Sequence, residues 1–179
     1  ILYYSFGGQL HTKGGSSSRG WDVFGDYITF DGLEVTGLLS RPSMRVVGRA
    51  DNGILRNAYF HDTTGPIPPG TSGRDPFEGI RMEKSGGAHA DPDFAPWSWL
   101  IRDCLFARLH DDAFLLAGRN HVVEYNTVRQ NVDDMFYVFG TGHVCRYNVM
   151  DGMLTPTSGH PDCFQSFSTG PGQYQWCKD

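Results

Sequence analysis

Apolar residues come in short alternating runs: ILRNAYF at 54–60, LIRDCLF at 100–106, VVEYNTV at 122–128 and VCRYNVM at 144–150. Gly, Asn or Asp breaks each of them. No segment sustains the 3.6-residue period of an amphipathic helix. Runs of about 4–6 residues rich in Val, Ile, Phe and Tyr predict short strands. The runs also recur in register. Val123 lies 22 residues after Ile101, and Cys145 lies 22 after Val123. Phe114 and Phe136 repeat the same step, and Phe164 follows after one period plus six inserted residues. Upstream, ITFDGLEVTG (28–37) and GILRNAYFHDT (53–63) match the first half of the unit, and FEGIRME (77–83) matches the second. A period near 22 holding two or three strands is one coil of an all-β solenoid. Stacking then buries a face that no single coil could bury.

That register sorts side chains into columns. Leu55, Ile101, Val123 and Cys145 are apolar throughout and point inward. So do Ile80, Phe114, Phe136 and Phe164. Arg56, Arg102, Glu124 and Arg146 form a charged column; at a coil spacing of about 4.8 Å, Glu124 sits between two arginines. Such a solvated ladder contributes little per pair. Asn126 and Asn148 stack at a turn, where amide side chains can bond along the solenoid axis. The column Arg81, Leu115, Tyr137, Gln165 faces outward. With Phe139, Phe167, Trp97 and Trp99 near it, that column offers flat faces for sugar rings, unless the Trp pair simply packs beneath insertions.

These units, ITFDGLEVTG and HVVEYNTVRQNVDDMFYVFG above all, resemble the right-handed parallel β-helix family of pectate lyases, polygalacturonases, alginate lyases and phage tailspikes. The resemblance covers residues 28–168. It implies a right-handed parallel β-helix with coils of about 22 residues. One domain then fills residues 1–179: an irregular lead-in over 1–27, repeat coils over 28–168 and a tail over 169–179. About six to seven coils fit. No polar cap is recognisable at either end, so a fragment, flanking domains or a homo-oligomer covering the open edges is expected.

Glu78, Asp112, Asp134 and Asp162 share one column, each just before a strand. A carboxylate there can accept backbone N–H bonds and close the turn with no further chemistry. That reading suits Glu78 and Asp112 best. Asp111 and Asp133 belong to the preceding column and point outward. The chemical reading starts from spacing. Carboxylates one or two coils apart lie roughly 5 or 9.5 Å from each other, bracketing the separations of retaining and inverting glycoside hydrolysis. The same crowding could be relieved by Ca²⁺ between Asp134 and Asp162. The segment SGHPDCFQSF (158–167) carries the six-residue insertion and puts His160 beside Asp162. Imidazole is the side chain suited to proton transfer near neutral pH. Two further insertions, GPIPPGTSGRDP (65–76) and SGGAHADPDFAPW (85–97), flank Glu78 and Glu83. Insertions on one face of a solenoid often wall a binding site.

The order Asp112, then Asp133 and Asp134, then Gly159 and His160, is similar to that of polygalacturonase-type hydrolases. The Arg-x-Lys pair of that family is missing, and Asp162 rather than His160 occupies the column. The resemblance therefore implies catalytic roles for Asp112, Asp133, Asp134, Asp162 and His160. A lyase would instead draw its base and its uronate-neutralising group from Arg81, Lys84, Arg129, Tyr137 and His160. Tyr137, Gln165, Arg81, Lys84, Arg129 and Trp97 are the candidate substrate contacts. A net charge of −5 argues against nucleic acid, and no apolar run is long enough to insert in a membrane. The four cysteines show no zinc spacing. They admit two disulfides or, more simply, buried thiols. Two functions are expected: a secreted or virion-borne enzyme cleaving a polysaccharide by hydrolysis or β-elimination, or a non-catalytic β-helix that binds glycans on a tail fibre or cell surface.

Overall fold

The computed structural model describes residues 2–4, 10–13, 20–37, 42–63, 78–83, 95–131, 134–153, 162–166 and 175–176. Regular structure among them is strand, with no helix. The strands build six stacked rungs. The first holds β1 (Leu2–Tyr4), β2 (Leu10–Lys13) and β3 (Trp21–Val23), and the second β4 (Thr29–Asp31), β5 (Leu33–Thr36) and β6 (Met44–Val47). The third holds β7 (Ile54–Arg56), β8 (Tyr59–His61) and β9 (Ile80–Glu83), and the fourth β10 (Leu100–Arg102), β11 (Leu105–Ala107) and β12 (Phe114–Leu116). The fifth holds β13 (Val122–Glu124), β14 (Thr127–Asn131) and β15 (Phe136–Val138). After β16 (Gly140–Thr141), the sixth holds β17 (Val144–Arg146), β18 (Val149–Met153) and β19 (Phe164–Ser166). A last strand, β20 (Gln175–Trp176), pairs with β16.

The first strand of every rung joins one six-stranded sheet, the second strands another and the third strands a third. All pairing is parallel. Residues 1–27 thus contribute three strands to the same sheets as the repeat. The strands are shorter than the sequence suggests, three to five residues in these rungs. The reason is that a single left-handed residue suffices to turn the corner. Asn57, Asp103, Tyr125 and Tyr147, between the first and second sheets, have φ of 54, 54, 55 and 56°. Asn52, Ser98 and Asn120, entering the first sheet, have φ of 58, 56 and 57°. Asn and Asp tolerate this region; Tyr enters it at a steric cost.

The columns read from the sequence are paired as expected. Ile101 pairs with Leu55 and Val123, and Val123 with Cys145. Phe114 pairs with Ile80 and Phe136, and Phe136 with Phe164. Inside, Phe60 stacks on Phe106 at 5.1 Å and Phe114 on Phe136 at 5.0 Å. Each fully buried Phe contributes about 1.5–3 kcal/mol, and these stacks run from rung to rung through the core. Trp99 is one of the core residues rather than a surface platform. It is fully buried, donates its indole N–H to the Ala50 carbonyl at 2.6 Å, and lies over Gly53, where any Cβ would collide with the ring. Leu115 also departs from the solvent-facing role of its column. It is buried with Ala95, Ala117 and Phe139 in a second apolar cluster outside the third sheet, against which Tyr137 packs. Cys104, Cys145 and Cys163 are free thiols.

Candidate functional site

The acid column stands at the corner between the second and third sheets. Its backbone is stitched rung to rung: Gly79 N–H to Asp112 O, Ala113 N–H to Asp134 O, Met135 N–H to Asp162 O. Glu78, Asp112 and Asp134 are all buried. Asp134 Oδ1 accepts the Asp162 backbone N–H at 2.6 Å. Asn131 ties the same corner by donating to Asp111 O at 2.8 Å. A carboxylate so held closes a turn, and Asp162 lies exposed on its outer side.

Glu78 differs from the others. Its Oε1 takes the Arg81 guanidinium at 2.7 Å, while its Oε2 is buried without a hydrogen bond. Burial, opposed by Arg81 and reinforced by Asp111, pushes its carboxyl up to about 7. Arg81 also donates to Glu83, which shares Arg45 with Asp22. Among the candidate contacts, Tyr137 pairs in register with Leu115 and Gln165. Trp97 lies under the Arg119 guanidinium, 5.4 Å away. His160, Asp133 and Lys84 lie outside the described residues.

A different corner carries an open groove. Between the first and second sheets, a shallow groove of about 380 Å³ is lined by Asn57, Asp103, Leu105, Tyr125, Thr127 and Arg129, with Ala58 and Cys104 at its floor. Tyr125 is half exposed and stacks on Tyr147 at 4.9 Å, with Arg102 and Arg146 over the rings. The left-handed turn pushes these side chains off the coil, which is why aromatic rings stand in solvent here. Arg129 makes a loose 3.4 Å pair with Asp151, and both side chains are well exposed (57% and 67%). The Cys104 thiol is pushed up to about 12 by burial and stays a neutral donor to the Arg102 carbonyl at neutral pH. Of the candidates from the sequence, Arg129 alone lines this groove. Tyr125, Asn57 and Asp103 were missed, although the repeated Tyr-Asn of VVEYN and VCRYN marked the position.

Two further clusters were not foreseen. On the outer face of the second sheet, His61 stands between Glu34 (2.9 Å) and Asp62 (2.6 Å), stacked on Tyr59. Asp62 is also forked by Arg108, which holds its carboxyl down at about 2 and raises Arg108 in return. This chain ties three rungs together and leaves neither ring nitrogen of His61 open. At the corner between the third and first sheets, His121 stacks on His143 at 4.8 Å. Among the described residues, no group of three or more His, Cys, Asp or Glu side chains is arranged to hold a metal ion.

Compared with protein-family models, curated proteins and solved structures, the chain matches none of them.

Proposed function

We propose that the chain is a right-handed parallel β-helix, coiling by about 22 residues per turn, that binds a neutral or acidic glycan along the corner between its first and second sheets. One observation carries the reading: the half-exposed ring of Tyr125 walls an open groove rimmed by Asn57, Asp103, Thr127 and Arg129. Sugar rings have C–H faces that pack on an aromatic ring and hydroxyls that need both donors and acceptors. The groove rim supplies the donors and acceptors, and with Tyr147 and Arg102 over its faces the Tyr125 ring presents its exposed edge to the sugar. Arg129, weakly held by Asp151, is free to turn its planar fork to a uronate carboxylate. A glycan-binding role fits display outside the cell or on a virion, with flanking domains or further copies on the solenoid ends.

Affinity electrophoresis through a panel of polysaccharides tests this. Tyr125→Ala and Arg129→Gln should lose retention at least about tenfold with unchanged thermal midpoints, and Tyr137→Ala should retain it. Loss with Tyr137→Ala alone would move the site to the third sheet, and no retention by any glycan would end the proposal.

A second reading, cleavage of a chain laid instead across the corner between the second and third sheets, is favoured by one observation. Glu78 holds its proton to about neutral pH beside Arg81, as a general acid must. New reducing ends without an unsaturated, ultraviolet-absorbing product would mean hydrolysis, and both together would mean elimination. Glu78→Gln should abolish either. Calcium between Asp134 and Asp162 belongs to this reading, and activity unchanged by a chelator would remove it.

A further inference from the structure

The corner between the third and first sheets is held by imidazoles wired in one protonation state. His121 Nδ1 accepts the backbone N–H of Trp99 at 3.2 Å, and its Nε2 lies 3.0 Å from the Ala117 carbonyl. One rung on, His143 Nδ1 accepts the His121 N–H at 3.3 Å and its Nε2 lies 2.9 Å from Phe139 O. Each ring therefore donates from Nε2 and accepts at Nδ1, which only the neutral form can do. A second proton on Nδ1 would point at an N–H that already occupies the site. It would also bring charge into a buried stack whose planes are 7° from parallel. We propose that the His121–His143 stack is an acid-operated latch, closed at neutral pH and released in acid, that frees the turns joining the third sheet to the first in the last rungs.

Among the described residues, no acidic side chain acts on His121 to offset protonation. His121 is completely buried, and the titratable group acting on it is His143 itself. Trp99 faces it with an indole N–H committed to Ala50. Arg119, on the same turn, is a like charge. Glu124, at the far end of β13, is held by Arg146 on the outer face. Burial lowers both imidazoles, His121 to about 3.

The closed corner thus binds fewer protons than the open one. Opening is unaffected above the ordinary imidazole value of 6.5 and becomes easier as pH falls below it. Releasing His121 multiplies the opening constant about tenfold per pH unit below that value, or about 100-fold at pH 4.5, and His143 adds in the same direction. Tyr125 follows His121 in the same rung, so opening would also withdraw the wall of the groove; this consequence, unlike the latch, rests on the glycan reading.

Backbone hydrogen exchange of the whole chain at pH 7 and 4.5 is the test. The amides of Trp99 and His121, bonded to imidazoles, are compared with those of Cys104 and Asn126, bonded to Asn side chains; the ratio cancels the intrinsic pH dependence of exchange. The latch requires protection of the first pair to fall at least about tenfold relative to the second at pH 4.5. An unchanged ratio, or equal loss at all four amides, overturns it. In His143→Gln the extra pH dependence of the His121 amide should shrink to what His121 alone supplies; should that variant not fold, the wild-type ratio decides alone. Glycan retention at pH 4.5 is read separately: a released latch with full retention would leave the latch standing and refute the groove.

Discussion

Asn126 and His121 hold neighbouring corners of the same rung by the same pattern of bonds. Asn126 accepts the amide of Cys104, 22 residues back, and donates to the Ile101 carbonyl. His121 accepts the amide of Trp99, also 22 back, and has Ala117 O as its acceptor. Both are completely buried, and both are copied one rung on, by Asn148 and His143. What differs is the chemistry of the donor–acceptor pair. A carboxamide carries a donor and an acceptor at every pH, whereas imidazole carries both only while neutral. Similar geometry therefore gives one corner whose stability is flat with pH and one whose stability is not.

The largest effect should come from emptying the pH-insensitive corner. Asn126→Ala removes the acceptor of Cys104 N–H and a donor to Ile101 O, while Asn148 Oδ1 keeps the Asn126 backbone N–H. At about 1–3 kcal/mol for each of these two buried groups, denaturant unfolding should show a loss of roughly 2–6 kcal/mol. Its pH dependence should stay that of the parent.

The titratable corner should respond next. Both histidines are depressed in the folded state. Their contribution is complete above 6.5 and is lost as pH falls from there toward the folded value. Each adds a slope of up to about 1.4 kcal/mol per pH unit in that window. Unfolding free energies from pH 7 to 4.5 should therefore fall more steeply for the parent than for His143→Gln.

Glu78 works in the opposite direction. Its folded value is raised from 4.5 to about 7. The stability it lends is present below 4.5 and is lost as pH rises through 7. Glu78→Gln should stabilise the chain at pH 8 by on the order of 1–2 kcal/mol and leave it unchanged at pH 4. A variant destabilised at pH 8 but not at pH 4 would show that the Arg81 ion pair outweighs burial.

The smallest effect belongs to the acid column. An amide oxygen can still accept the Asp162 N–H, so Asp134→Asn should shift the unfolding free energy by less than about 1 kcal/mol. A much larger loss would show that the charge itself supports the turn.

The rungs were legible because a period repeats identity at fixed spacing. Ile101, Val123 and Cys145 announced their pairing without reference to depth or hand. The Asn126–Asn148 ladder was legible for the same reason, together with the habit of carboxamides at turns. Depth was harder to read. Leu115 and Tyr137 alternate outward along their strands, but whether an outward face is solvated depends on what packs across it, which strand alternation does not encode. His121 and His143 stand at the head of HVVEYN and HVCRYN, as plainly repeated as the asparagines. Sequence alone does not separate a histidine that carries protons at an insertion from one that serves as a neutral bridge in a core. Tyr125 was hidden by its backbone: nothing local marks a tyrosine for φ of 55° until neighbouring corners fix the turn.

The most direct test is NMR detection of ¹⁵N–¹⁵N scalar coupling across hydrogen bonds at pH 7. It asks at once whether the chain stacks with a step of 22 residues here and whether the latch is an imidazole acceptor. Couplings should link the Trp99 amide nitrogen to His121 Nδ1, and the His121 amide nitrogen to His143 Nδ1. Couplings absent from both, with imidazole shifts showing protonated Nδ1, would contradict the register and the latch together.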